Sequence, residues 1–118
     1  MKAINSTRGK ELAGNLGRVE SLGRRLKGLL GRHSLATDEG VLLKPCWGVH
    51  TFGMKFPIDL VFLSSANRVI AVCKEVPPNR IPPVYLGTRS VLELPAGRIT
   101  ETATGTGDLI IMESQESD

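Results

Sequence analysis

The chain has 118 residues, of which 41% are hydrophobic and 23% charged, and its formal net charge is +3. That length suits one domain, residues 1–118, which buries roughly two-thirds of its unfolded surface and so holds a core without staples. No run approaches the 18 apolar residues of a membrane helix, no apolar segment follows the charged N-terminus, and the two cysteines form no CxxC pair. These features argue against a spanning segment, a signal peptide and a disulfide framework, and make the cytoplasm the expected address.

Aromatic residues make up only 4% of the chain, so a core of Val, Ile and Leu is expected, which suits a sheet. Charge is uneven. Residues 1–33 hold eight Lys and Arg against two Glu, whereas residues 34–118 hold seven against ten acids. A basic segment on an acidic body could dock anions, but no aromatic residue interleaves the charges, so it reads as a solvated helix face.

In chain order, residues 1–9 are polar and read as a flexible start. Lys10–Leu16 fits a short strand or a helical turn equally well. From Arg18 to Leu30, the residues Val19, Leu22, Leu26, Leu29 and Leu30 follow the spacing of one helical stripe, which predicts an N-terminal helix. Gly23 and Gly28 each disfavour that helix by about 1 kcal/mol against Ala, so packing must hold it. After the linker Ser34–Gly40 the pattern turns to β. Val41–Leu43, Val49–Gly53, Ile58–Leu63, Arg68–Val76, Ser90–Leu94 and Asp108–Met112 are the strand candidates. Ser64–Asn67 reads as a hairpin loop that pairs Leu60–Leu63 antiparallel with Val69–Val72. Four prolines between Pro77 and Pro83 exclude a central strand and predict a stiff surface loop. Pro95–Gly97 turns the chain into a helical turn at Arg98–Thr104, and residues 113–118 form an acidic, flexible tail. The expected fold class is mainly β (α+β): a single compact β-sandwich or jelly-roll-like domain with an N-terminal helix and a short C-terminal helical turn.

Chemically capable side chains concentrate in Cys46–Leu63, which holds the single Trp, all three Phe, His50, Cys46 and the lone acid Asp59. Cys46 and His50 invite a nucleophile-and-base reading, but on one strand they sit about 13 Å apart, and such a pair needs about 3 Å. Cys46 therefore reads as a small buried thiol. Cys46, His50, Cys73 and His33 are too scattered to predict a metal site. Asp59 and Glu93 each interrupt an apolar strand, and a buried carboxylate must be hydrogen-bonded or paired. Two such acids could converge as an acid–base pair. Capping of backbone amides, or pairing with Arg68, Arg80 or Arg89, is the stronger reading. His50, Thr51 and Lys55 against a wall of Trp47, Phe52, Met54 and Phe56 fit a small-ligand site. The competing reading makes the aromatics core and His50 structural. Gly105–Gly107 lacks the Lys and Ser/Thr of a phosphate-binding loop and reads as a turn.

The runs His50-Thr51-Phe52-Gly53-Met54 and Pro57-Ile58-Asp59-Leu60-Val61-Phe62-Leu63 resemble the core signature of the uncharacterised family called domain of unknown function 192. Gly28–Arg32 resembles its upstream segment; Val76-Pro77-Pro78, Tyr85, Val91–Gly97 and Gly107-Asp108 resemble its downstream ones. The resemblance implies a compact β-rich fold of sandwich or jelly-roll type and no established activity. Many members carry a Trp where this chain has Gly53, a Cys in the proline loop where this chain has none, and an export signal.

The expected function is a non-catalytic module for an unknown small molecule or protein partner, with a candidate pocket of His50, Thr51, Met54, Asp59, Glu93 and Tyr85. The first alternative is a small hydrolase-type enzyme using Asp59 or Glu93 with His50, which needs two of these groups within about 3–6 Å. The second has the basic N-terminal helix docking nucleic acid or an acidic partner, with nucleic acid disfavoured. No catalytic residue, metal ligand or cofactor is assigned, and the chain is expected to be a monomer or weak dimer.

Overall fold

The computed structural model describes residues 1–19 and 34–114. Its elements are β1 (Lys2–Asn5), β2 (Lys10–Ala13), β3 (Asn15–Val19), β4 (Glu39–Leu43), β5 (Ile58–Leu63), β6 (Val69–Val76), β7 (Ser90–Pro95), α1 (Arg98–Thr102) and β8 (Ile110–Glu113). They build a three-stranded sheet ordered β2-β1-β8 and a five-stranded sheet ordered β3-β4-β7-β5-β6. The fold is mainly β, with one short helix among the described residues. A Cα radius of gyration of 12.9 Å matches the roughly 13 Å of a compact chain of this size.

The larger sheet is covered on both faces, and β5 records this most plainly. All six of its residues are buried, because β6 and β7 flank it and side chains pack above and below. A strand buried on both sides reads as an apolar run and loses the alternation of a half-exposed strand. On the first face, Val61, Leu63, Leu92, Leu94 and Leu42 meet Ala3, Leu12, Ala13 and Ile110 of the smaller sheet and Ile99 of α1. On the second face, Ile58, Leu60, Phe62, Val91 and Leu43 pack beneath loop residues Cys46 and Met54, with Val49, Phe56 and Tyr85 alongside. Gly40 at the start of β4 permits close approach: a Cβ there would stand 3.0 Å from both the Ala13 Cβ and a Leu94 methyl.

The hairpin at Ser64–Asn67 forms as expected. Asn67 takes a left-handed φ of 60°, and the Ser64 hydroxyl accepts the amides of Ala66 and Arg68. Leu63 pairs with Val69 and Leu60 with Cys73, antiparallel. β6 stops at Val76, where the prolines begin, and Arg98–Thr102 is the helical turn.

Three expectations change. Residues 2–5 are no frayed start: β1 is the central strand of the smaller sheet, with Ala3 and Asn5 fully buried. Arg18 and Val19 are not helical; they end β3, which pairs in parallel with β4 along Asn15–Val19. At these two residues long-range pairing has prevailed over the local stripe. The rest of that helix prediction, residues 20–30, lies outside the described residues, as do His33 and residues 115–118 of the tail. Val49–Gly53 is loop, because Thr51 spends its amide and carbonyl on the proline loop and Gly53 turns the chain at a φ of 82°.

Candidate functional site

Asp59 sits opposite a bulge. Ile58 pairs with Val76 and Leu60 with Cys73, so β6 carries one residue more than β5 over this interval, and Glu75 takes a φ of 50°. The Glu75 amide turns to the Asp59 carboxylate, donating to Oδ1 at 2.8 Å. Oδ2 accepts the Ile99 amide at 2.8 Å, an otherwise orphaned donor in the first turn of α1. Asp59 is fully buried, and both its oxygens are engaged by backbone. It fastens β5 to the bulge and to α1. This is the amide-capping role that competed with catalysis in the sequence.

Glu93 lies elsewhere. Asp59 faces Leu94 across the β5–β7 ladder, whereas Glu93 faces Leu60. Successive side chains alternate faces, so Asp59 projects with Val61 and Leu63 to the first face, and Glu93 projects with Val91 to the second. A sheet separates the two carboxyls, and they cannot act as an acid–base pair.

The remaining candidates gather where two loops cover the second face: 46–57, and 77–89 with its four prolines. Proline nitrogens donate no hydrogen bond, so the proline loop needs its partners from outside. Thr51 supplies them. Its hydroxyl donates to the Pro77 carbonyl at 2.7 Å and accepts the Arg80 amide at 2.8 Å. Its own amide donates to the Arg80 carbonyl, and its carbonyl accepts the Asn79 amide. A second tie joins the other ends of the loops, where the Cys46 amide donates to the Arg89 carbonyl at 2.9 Å. Thr51 is thus buried scaffold. Met54 is buried beneath the loops as core. The Tyr85 ring packs on Phe62 at 4.8 Å between centroids, and its hydroxyl is within 3.5 Å of the Cys73 sulfur. That hydrogen bond, then burial, raises the phenol above its ordinary pKa. His50 is exposed, its Nδ1 accepting the Phe52 amide and its ring 5.4 Å from that of Phe52. The Cys46 thiol donates to the Gly48 carbonyl. Among the described residues, no three His, Cys, Asp or Glu side chains stand together as a metal site.

Sequence reasoning missed what the loops present outward. Trp47, Phe52, Ile81, Val84 and Leu86 are exposed, Leu86 at 98% and Trp47 at 66%. The signal was available: Lys44–Ile58 and Val76–Ser90 contain Lys44, Lys55, Arg80 and Arg89 and no acid. The two tied loops therefore present apolar side chains in a cationic setting.

Among the described residues, two sheets of three and five strands, one short helix and a loop-covered second face define a class of small mainly-β domain. Within that class the chain belongs to the domain of unknown function 192 family, described as uncharacterised ACR, whose model matches residues 4–112. The fold is shared with a protein of unknown function from Novosphingobium aromaticivorans, at a TM-score of 0.80 and 20% identity over 95% of this chain and 84% of that one. It is shared too with a protein from Sinorhizobium meliloti described as a candidate transcription regulator, at a TM-score of 0.76 and 20% identity over 93% and 89%. No curated protein matches the chain. Among the described residues, no helix is long and apolar enough to cross a membrane.

Proposed function

We propose that this protein is a non-catalytic binding module whose recognition surface is the pair of loops 46–57 and 77–89, and whose partner is an acidic, apolar segment of another protein. The observation that carries this reading is the exposure of Trp47, Phe52, Ile81, Val84 and Leu86 on two tied loops that hold Lys55, Arg80 and Arg89 and no acid. Scattered surface hydrophobics need no explanation, but several on adjoining loops mark interaction sites. The cationic setting selects an acidic partner and speeds the encounter. Thr51 and the prolines fix both loops beforehand, so little ordering entropy opposes binding. The expected pocket contracts accordingly: His50 stays at the surface, Thr51 and Met54 support it from behind, and Asp59 serves the opposite face of the sheet. A sandwich-type scaffold, a single domain and a cytoplasmic monomer belong to the same reading. Side chains of both sheets meeting in one core support the first, and two free thiols agree with a reducing compartment. Descent of a transcription-regulator role from the Sinorhizobium protein is not part of it, since likeness at 20% identity speaks for the fold alone.

Trp47 is the only tryptophan and its emission reports directly on this surface. Titration with peptides mixing Glu with Leu and Phe is expected to shift that emission to shorter wavelength, saturably and less at high salt. Lys-for-Glu versions should leave it unchanged. Equal response to both sets, no response to either, or a shift only with anionic phospholipid vesicles would each overturn the assignment.

A further inference from the structure

At one end of the larger sheet, Arg18, Lys44, Pro45, Ser65 and Arg89 line a cleft of about 450 Å³. We propose that this cleft binds a small ligand through a phosphate-type oxyanion. The strand register builds it. β3 and β4 run in parallel and end side by side, Val19 opposite Leu43, and the Lys44 amide continues the ladder to the Val19 carbonyl. β7 begins and β5 ends at the same edge, Ser90 opposite Leu63, and the Arg89 amide donates to the Leu63 carbonyl. Arg18 near the end of β3, with Lys44, Ser65 and Arg89 just outside the ends of β4, β5 and β7, thus brings three cations and one hydroxyl to a single opening.

The chemistry of the lining is one-sided. Its described residues include no acid, and neither Lys44 nor Arg89 has an acidic partner among the described residues. Like charges around one opening repel, and a bound anion relieves that repulsion. Guanidinium forks match the oxygens of a phosphate in pairs, Lys adds a compact charge, and the Ser65 hydroxyl adds a neutral donor. Pro45 supplies an apolar wall. The volume falls in the range of small-molecule sites. This inference does not rest on the loop surface, whose apolar residues line no part of the cleft.

The test is calorimetric titration of the full chain with pyrophosphate at fixed ionic strength, with citrate and a short DNA duplex as comparison arms. Pyrophosphate is expected to bind one site in preference to citrate. In Lys44→Ala and Arg89→Ala its affinity should fall about tenfold or more, the loss of one charge-assisted contact each. Both residues are exposed, so the free variants should melt with the parent. Ile81→Ser with Leu86→Ser should bind pyrophosphate unchanged, which separates this site from the loop surface. Equal binding of citrate, affinity unchanged in Lys44→Ala with Arg89→Ala, or preference for the duplex would overturn the proposal.

Discussion

Both oxygens of Asp59 are occupied by amides that the fold leaves without other partners, Glu75 in the bulge and Ile99 at the start of α1. The requirement was legible, since an acid inside Ile58–Leu63 must be satisfied somehow. The partners were not, because they lie 16 and 40 positions along the chain. Asp59→Asn keeps one acceptor and turns an NH2 toward the other amide. It should destabilise the protein by about 1–3 kcal/mol, read as a fall in midpoint by chemical denaturation. Asp108 is a second buried carboxylate, held by a different set of partners. Its burial pushes the carboxyl up, but hydrogen bonds from Asn5, the Gly105 amide and Arg8, with the Arg8 charge, together hold it below the ordinary value. A depressed folded pKa contributes stability that is full above about pH 4 and is lost as pH falls through the folded pKa. Stability should therefore decline below about pH 4, and Asp108→Asn should flatten that limb of a stability–pH curve.

At the scale of elements, the sequence conveyed what is local and apolar. β5 was read with its observed bounds because a strand buried on both faces leaves an unbroken run. β1 escaped because four residues, half of them polar, carry too little pattern; its place depends on Ala13 and Met112 lying opposite Ala3. The separation of Asp59 from Glu93 was beyond reach for another reason. Which face a residue takes depends on register, and a shift of one position exchanges the faces. The loops show the same division. Prolines announced a stiff connector, but Thr51 as its anchor required knowing that the two loops meet. Thr51→Val preserves shape and removes the hydroxyl between Pro77 and Arg80. Hydrogen exchange of the Arg80 and Asn79 amides should accelerate, at a stability loss of about 1–3 kcal/mol. Unchanged protection there would show that the proline loop holds itself.

Across the whole molecule, polar groups that looked functional in sequence, Thr51 and Asp59, support the fold, and two aromatics that one reading placed in the core, Trp47 and Phe52, stand at the surface. Phe62 and Met54 are buried beneath the loops, whereas Trp47, Ile81, Val84 and Leu86 cap them in solvent. Side chains retained for contact contribute little to folding, and replacing them is often neutral or stabilising. The most direct measurement is the thermal midpoint of Ile81→Ser, Val84→Ser and Leu86→Ser combined, against the parent. The expected result is a midpoint at or above the parent's, because none of the three lies in the core. A fall as large as that of Asp59→Asn would mean that these residues hold the protein together, and the recognition surface assigned to the two loops would be wrong.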